Sequence, residues 1–418
     1  AAVSAPPIAH GTLENGARVY FIEARALPMV QLSVVFDAGS ARDPAGRSGL
    51  AWLGNRLLRE GAGGLTADEI AERFEDLGAE FGNDSQRDMA SLSLRSLSEH
   101  RLLDPALDLF ARILAVPDFP EAALARERTR ALVALRQSRQ QPGEVASRAF
   151  YELLYGGHPY AGEPRGSEAG LQAVTRADLA AHHRRYYVGA NALLALVGDV
   201  SRAEAEVLAQ RLLGPLPAGA PAAAPPAVAA PARAAQKHIP HPSSQSHILM
   251  GQPGVTRADP DYFPLLVGNY TLGGSGLVSR LARELREKRG LSYSMYSYFL
   301  PMRERGPFVL GLQTKNAQRD EALTIARRTL AEFVASGPSA EELAAARKNL
   351  TGGFALRLDS NRKLVEQLAM IGFYRLPLDY LDNFIARIEA VTLEQVRAAL
   401  ARRLQPDKMV TVTVGGAR

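Results

Sequence analysis

Two segments of the chain alternate between apolar and polar residues with a period of two, the pattern of a β-strand with one buried face. They are residues 30–36 and 90–95, whose even positions carry Val, Leu, Phe or Ala. Apolar residues instead recur every three or four positions, as on one face of a helix, over residues 48–60, 66–77, 101–115 and 121–140. Strands joined by both hairpin-like and helical connections predict an α+β fold with a largely antiparallel sheet.

Signals at the helix ends support this prediction. Thr66 and Glu69 have the spacing of a capping box, in which each side chain satisfies a free backbone N–H of the first turn. Gly61 and Gly78 follow the last apolar residues of two predicted helices, where glycine is the common terminating residue.

A composition change divides the chain into two parts. Residues 214–235 consist almost wholly of Ala, Pro and Gly, and such a segment forms no core but acts as a semi-stiff extended spacer. We therefore expect an N-terminal domain over residues 1–213 and a C-terminal domain over residues 236–418.

The two parts end in the same way. Residues 174–200 and 391–417 each begin with Val-Thr, continue as a helix pattern and finish in an apolar strand that ends at glycine. Correspondence at the ends of both halves, around a clear linker, favours duplication over chance similarity. The sequence therefore predicts two similar domains that form a clamshell subunit.

Composition excludes several kinds of protein. The chain has 418 residues, 46% hydrophobic and 22% charged, with a net charge of +5, so it is globular and not disordered. Acidic residues alternate with the basic ones, and the chain lacks the compact basic cluster of a nucleic-acid interface. Because it contains no cysteine, neither disulfides nor thiolate metal sites can form. No apolar run approaches the roughly 20 residues of a membrane span.

The first residues bear on location. The sequence begins Ala1-Ala2-Val3-Ser4 without methionine, as signal-peptidase cleavage would leave it, although a trimmed chain looks the same. We expect a bacterial periplasmic location.

Short motifs occur in a characteristic order along both halves. In the first half they are NGARV (15–19), GLA (49–51), HPY (158–160) and VGD (197–199), and in the second LGGSG (272–276), SRL (279–281) and LREKRGLSYS (285–294). In this order and spacing the chain resembles the pitrilysin/insulysin family of zinc peptidases (inverzincins), in its processing-peptidase branch of two-domain subunits. The resemblance runs nearly from end to end.

The resemblance also shows what the chain lacks. The family carries His-x-x-Glu-His on a helix, where two imidazoles bind zinc and the carboxylate activates water. Trp52, Asn55 and Arg56 stand at these three positions. None of them is a usual zinc ligand or a carboxylate base, and a guanidinium repels a dication. Trp52 would fill the volume that the metal and its ligands occupy in the family.

The third zinc ligand of the family is a glutamate on a later helix. In this chain the matching positions are occupied by Leu132, Val133 and Ala134. With all three ligands and the base missing, we expect neither zinc nor another cofactor in this chain.

The second half keeps residues that the resemblance implies to be functional. Arg286 and Tyr293 stand where family members carry an Arg and a Tyr that donate hydrogen bonds to the substrate carbonyl and to the charge developing at the scissile bond. Taken alone, they would read as a surface arginine and a packed strand tyrosine. The resemblance also implies peptide contacts at Asn83, on a sheet edge spanning about residues 83–94, and at the turn formed by Gly273, Gly274 and Ser275.

These observations lead to one main hypothesis and two alternatives. The chain would be the zinc-free subunit of a heterodimeric metallopeptidase. A homologous partner with His-x-x-Glu-His would hold the zinc, and a peptide would be the substrate. Alternatively, it is an inactive structural or peptide-binding subunit of a larger complex. A zinc peptidase acting alone with non-standard ligands is the second alternative.

Overall fold

A computed structural model describes residues 4–417 of the chain; Ala1 to Val3, on which the expected signal cleavage rests, lie outside the described residues. The strands are β1 (Ala9–Thr12), β2 (Arg18–Glu23), β3 (Met29–Phe36), β4 (Gly61–Ala62), β5 (Leu65–Thr66), β6 (Glu80–Ser85), β7 (Ala90–Leu97), β8 (Ala192–Gly198), β9 (Ala235–Ile239), β10 (Gln245–Pro253), β11 (Ser294–Phe299), β12 (Pro307–Lys315) and β13 (Val410–Val414).

The α-helices are α1 (Leu50–Leu57), α2 (Ala67–Asp76), α3 (His100–Ala115), α4 (Glu121–Ser138), α5 (Pro142–Tyr155), α6 (Glu168–Ala173), α7 (Arg176–Tyr186), α8 (Arg202–Leu213), α9 (Tyr262–Asn269), α10 (Arg280–Ala282), α11 (Arg319–Ser336), α12 (Ala340–Gly352), α13 (Asn361–Phe373), α14 (Tyr380–Glu389) and α15 (Leu393–Arg403). Two π-helical turns are Tyr270–Gly274 and Arg283–Glu287. Among the helices of residues 4–417, none has both the length and the apolar character that crossing a membrane requires.

The predicted elements of the first half are confirmed. The two alternating segments are β3 and β7, and the four helical patterns are α1 to α4. Thr66 and Glu69 form the expected capping box, since the Thr66 hydroxyl accepts from the Glu69 N–H and the Glu69 carboxylate accepts in return. Helix α1 ends earlier than predicted because Leu58–Glu60 tighten into a 3-10 turn.

The first sheet has the strand order β1-β2-β8-β3-β7-β6. All neighbours are antiparallel except β2 and β8, which run parallel. The predicted antiparallel character is therefore confirmed. Strands β1 and β6 form its edges.

The second sheet repeats this topology. Its order is β11-β12-β10-β13-β9, and only β13 and β9 are parallel. Read from the other end, β9, β13, β10, β12 and β11 take the places of β2, β8, β3, β7 and β6. The duplication inferred from the chain ends thus extends to the order and direction of five strands.

Both faces of the first sheet are covered. Leu194 and Leu196 of β8 face a core shared with α1 and α3, whereas Leu193 and Val197 pack against α13. Every residue of β8 is buried, which explains why this strand is uniformly apolar and not alternating.

Packing divides the chain differently from the linker. One compact unit comprises residues 1–135, 162–224 and 355–382, and the other comprises residues 136–161, 225–354 and 383–418. Helix α5 packs on the second sheet and α13 on the first, so each half of the sequence supplies one helix to the other half's sheet. The predicted boundaries of 1–213 and 236–418 follow chain connectivity and differ from these units, because helical periodicity does not show which sheet a helix covers.

The Ala/Pro-rich linker is extended, and the first part of the linker is hydrogen-bonded to the first unit. Gly189 and Ala190 donate their N–H groups to the carbonyls of Pro217 and Ala218, at 2.7 and 2.8 Å. The guanidinium of Arg185 donates to the Ala220 carbonyl at 3.1 Å. These hydrogen bonds satisfy carbonyls that a proline-rich segment cannot pair within itself.

Close packing of α5 against the second sheet predicts the effect of one substitution. A Cβ atom on Gly251 of β10 would lie 1.9 Å from the Phe308 carbonyl oxygen and 2.9 Å from Cζ of Phe150 in α5. We expect Gly251→Ala to lower the free energy of unfolding by about 2 kcal/mol or more. Urea denaturation followed by circular dichroism measures this change. Gly352→Ala, at a position where a Cβ meets open space, should change the stability by less than about 0.5 kcal/mol. Equal effects of the two substitutions would contradict the packing argument.

Candidate functional site

Helix α1 carries the positions that the resemblance matches to the zinc motif, and the sequence around it holds it firmly. Leu50, Leu53 and Leu57 bury one face of the helix in the core of the first unit. Its N-terminus is capped by the Asp43 carboxylate, which accepts from the N–H groups of Gly49 and Ala51 at 2.9 and 2.8 Å. Burial raises the pKa of Asp43 to about 7, against the opposing effect of these two hydrogen bonds.

Trp52, Asn55 and Arg56 are all engaged with other protein groups. The Asn55 side chain is 1% exposed and donates to the Ser91 carbonyl of β7 at 3.2 Å. The Arg56 guanidinium lies over the Trp52 ring, 4.7 Å from the ring centroid. This set offers no anionic or imidazole ligand, so the residues present do not fit a zinc ion.

A buried glutamate lies beside these positions, and the sequence analysis missed it. Glu127 of α4 has a side chain only 4% exposed, and its Oε2 lies 3.5 Å from Nε of Arg56. Its Oε1 accepts from Nη1 of Arg130 at 3.0 Å and lies 3.7 Å from Nε of Arg126. Helical periodicity was the available signal, because Glu127 shares the spacing of the buried Leu124 and Ala131.

The three later positions supply no ligand. Leu132 is half-buried, while Val133 and Ala134 are exposed on the outer side of α4. Across residues 4–417, no three His, Asp or Glu side chains are grouped closely enough to bind a metal ion.

The structure places Asn83 on the edge strand β6, next to α1. Its Nδ2 donates to the Asn55 carbonyl at 2.9 Å, so this side chain joins the sheet edge to the helix. The expected edge over residues 83–94 is wrong for its second part, because β7 lies between β3 and β6 inside the sheet. The edge is implied by the resemblance alone, and hydrogen bonding of β7 to β3 on one side and to β6 on the other makes it an interior strand.

In the second unit, Arg286 lies in the π-helical turn Arg283–Glu287. The two neighbouring cations are neutralised, since Lys288 and Arg289 each pair with Glu284 at 2.7 Å. Arg286 is half-buried, and its guanidinium makes no hydrogen bond or ion pair with any part of the chain that the structure describes.

Tyr293 is exposed on a restrained loop. The Leu291 N–H donates to the Leu285 carbonyl of the π-helical turn at 2.7 Å, and the Thr314 hydroxyl donates to the Leu291 carbonyl at 2.6 Å. The next residue, Ser292, is buried, whereas Tyr293 is 86% exposed. The backbone that carries Tyr293 is therefore attached to the turn that carries Arg286.

The turn formed by Gly273, Gly274 and Ser275 packs against the edge strand β11. A Cβ on Gly273 would lie 2.6 Å from the Ser297 nitrogen, and the Asn269 side chain donates to the Ser297 carbonyl at 2.9 Å. Gly273 is thus required for close approach to this strand, whereas a Cβ on Gly274 would meet Asn269 of α9. The structure places this turn, Arg286 and Tyr293 in the second unit, and Asn83 with the three motif positions in the first.

Two adjacent histidines of α7 are structural. Nε2 of His183 lies 2.7 Å from the Leu114 carbonyl oxygen. His182 is buried, and its Nε2 has no hydrogen-bond partner within the described range. Burial lowers the pKa of His182 to about 4, assisted by the neighbouring His183 and opposed by a hydrogen bond with the Ala38 backbone.

Known proteins match this chain over most of its length. Residues 18–165 match the insulinase family (peptidase family M16), and residues 173–350 match the peptidase M16 inactive domain. The crystal structure of a peptidase M16 inactive domain from Pseudomonas fluorescens is 41% identical, with a TM-score of 0.95 and 98% of each chain covered.

Two relatives are more distant. The non-peptidase homolog YmxG of Helicobacter pylori is 25% identical over 382 residues, which cover 90% of this chain and 87% of the relative. The uncharacterized zinc protease YmxG of Bacillus subtilis is 24% identical over 398 residues, 94% of each chain.

His182 makes the stability of the first unit depend on pH. Its pKa in the folded chain, about 4, lies below its ordinary value of 6.5, so the unfolded chain binds a proton first as the pH falls. The stabilisation is fully present above pH 6.5 and is lost as the pH falls toward 4. Between pH 7 and 5 His182 contributes a loss of about 2 kcal/mol. Asp43, whose pKa is raised to about 7, contributes in the opposite sense over the same range. We therefore expect His182→Gln to gain about 2 kcal/mol relative to the wild-type chain on going from pH 7 to 5.

Urea denaturation at both pH values, followed by the fluorescence of Trp52, measures this difference. His10→Gln, which removes an exposed histidine of β1, is the matched control and should keep the wild-type pH dependence. A variant at His182 that behaves like the control would contradict the assignment.

Proposed function

The chain belongs to the insulinase family of peptidases, family M16, and we propose that it is the zinc-free subunit of a two-subunit zinc metallopeptidase. In this proposal Arg286 and Tyr293 serve an active site whose zinc is held by a homologous partner subunit with His-x-x-Glu-His. The partner's metal and carboxylate would supply the activated water. The present chain would supply hydrogen-bond donors and part of the peptide-binding surface.

The observation that supports this proposal most is that the donors of Arg286 and Tyr293 are uncommitted although their backbone is restrained. A surface arginine of a charged helix pairs with nearby carboxylates, as Lys288 and Arg289 do with Glu284. Arg286 does not, and Tyr293 exposes its ring instead of packing it. Restrained donors without protein partners are suited to bind a ligand.

The chemistry of the two side chains fits transition-state stabilisation. Arginine keeps its charge at any working pH and offers five N–H donors, and the tyrosine hydroxyl donates one hydrogen bond. Directed at a peptide carbonyl that becomes an oxyanion, one such donor contributes about 3 kcal/mol to the transition state. Neither group replaces the base or the metal, so the chain alone is not expected to hydrolyse peptides.

Strand β6 provides a surface for an extended peptide. It pairs only with β7 within the described part of the first sheet, so one row of its backbone N–H and C=O groups is available for a further strand. The peptide would run beside α1, to which Asn83 connects this edge.

A structural or peptide-binding role without catalysis is the second candidate. The ion pairs around Glu127 favour it, because they stabilise the positions matched to the zinc motif without any chemistry. The name of the Helicobacter pylori relative, a non-peptidase homolog, points the same way. The two candidates differ in whether Arg286 and Tyr293 affect catalysis. The periplasmic location stays a prediction.

Peptide hydrolysis by the assembled complex tests the proposal. The chain is co-purified with a zinc-motif homologue from its host, and kcat and KM are measured for the pair and for each subunit alone. We expect activity only in the pair. Tyr293→Phe and Arg286→Ala should each lower kcat about 100-fold, with a smaller change in KM, because the lost donors act mainly on the transition state.

Two substitutions serve as matched controls. Arg283→Ala removes an exposed arginine of the same π-helical turn, and Tyr298→Phe removes a hydroxyl from β11. Both should leave kcat within about twofold. If Arg286→Ala and Tyr293→Phe behave like these controls in an active pair, the catalytic proposal is wrong and the binding role is favoured.

A further inference from the structure

The ionised side chains around Glu127 carry more positive than negative charge. The arginine side chains are also more exposed than the Glu127 carboxylate. The side chains of Arg56 and Arg130 are 44% and 65% exposed, whereas that of Glu127 is 4% exposed. The third arginine, Arg126, pairs with Glu60 at 2.8 Å. Three guanidinium groups thus face two carboxylates, which leaves one net positive charge at the surface.

Arg56 is exposed, and only part of its hydrogen-bonding capacity is used. Its nearest ionic contact is from Nε to Glu127, at 3.5 Å. Its two Nη groups make no hydrogen bond with the residues that the structure describes. The Cζ atom of Arg56 lies over the Trp52 ring, 4.7 Å from its centroid, and a guanidinium in contact with an aromatic face can still donate its N–H groups to a carboxylate.

Arg56 also lies next to the peptide-binding edge described above. Asn83 of β6 donates to the carbonyl of Asn55, the residue that precedes Arg56. A peptide that extends the sheet along β6 would therefore pass close to the helix turn that carries Arg56.

From these contacts we infer that Arg56, supported by Trp52, Arg130 and Glu127, is a binding site for a peptide carboxylate. At the position that the resemblance matches to a zinc ligand, a guanidinium would retain the attraction for an anionic oxygen. Unlike the metal, it does not lower the pKa of water, so the site would hold a carboxylate without any hydrolysis. The inference rests on the proposed function only in taking the ligand to be a peptide.

Glu127 has a positioning role in this site. It accepts from Arg130 and faces Arg56 from the interior, so both guanidinium groups are oriented by one buried carboxylate. Because Glu127 is nearly inaccessible, it does not compete at the surface with an incoming carboxylate for the outer donors of Arg56.

Trp52 is the only tryptophan of the chain, which makes the site directly observable. The isolated full chain is titrated with a tryptophan-free nonapeptide that ends in a free carboxylate, and the Trp52 emission is recorded. The same peptide as its C-terminal amide is the first comparison. An amide peptide with one internal glutamate is the second, and it distinguishes a terminal carboxylate from one on a side chain.

We expect the free acid to bind about 10- to 100-fold more tightly than the plain amide, the range of a charge-assisted hydrogen bond. This preference should weaken with rising salt. Arg56→Gln should reduce it to less than threefold. Arg101→Gln, which removes an exposed arginine of α3 that pairs with Glu99 outside this cluster, is the matched control and should preserve it. Thermal denaturation confirms that both variants are folded. Arg130→Gln provides a second test variant, and we expect it to reduce the preference in part.

Tighter binding of the internal-glutamate amide than of the plain amide would also support the carboxylate site and assign its ligand to acidic side chains. Equal affinity for the free acid, the internal-glutamate amide and the plain amide, or a preference that survives Arg56→Gln, would overturn the inference. Neither result affects the proposed catalytic role, because Arg286→Ala and Tyr293→Phe are measured on the complex and should not alter this titration.

Discussion

Burial of both faces of each sheet is the constraint on which the rest of the structure depends. Strand β8 has no polar side chain in its central positions, so one layer of helices cannot shield it. Helix α13 covers the second face of the first sheet, and α5 takes the equivalent place on the second sheet. A Cβ atom on Gly251 of β10 would lie only 2.9 Å from Cζ of Phe150 in α5, so no larger residue fits there. Helices α1 and α4, which carry the positions matched to the family's zinc ligands, pack in the core of the first unit.

An ion-pair cluster lies at the positions that the resemblance matches to the zinc motif. A carboxylate as buried as that of Glu127 is costly unless a cation accompanies it. Arg56 and Arg130 supply that cation from opposite oxygens, and Trp52 supports the guanidinium of Arg56. Trp52, Arg56 and Glu127 therefore form one connected set of contacts at these positions.

The two units differ in how their polar groups are used. In the first unit, the side-chain amides of Asn55 and Asn83 donate hydrogen bonds to backbone carbonyls. In the second unit, a restrained backbone presents Arg286 and Tyr293, whose side-chain donors have no partner among residues 4–417. These available donors, in a chain without the family's zinc ligands, are the reason for proposing a shared active site ahead of a wholly structural role.

The sequence by itself determined the strands at 30–36 and 90–95, the capping box at Thr66, the duplication and the absence of zinc ligands, because local periodicity, local spacing and residue identity suffice for these. Only the tertiary structure decided that α5 packs on the second sheet and α13 on the first. The same holds for the interior position of β7 and for the ion pair of Glu127 with Arg56. Each of these depends on which surfaces come together from distant parts of the chain, and an apolar stripe or an isolated charge looks the same in sequence whatever partner it finds. Gly273 shows the same limit, since its need for close approach is visible only beside β11.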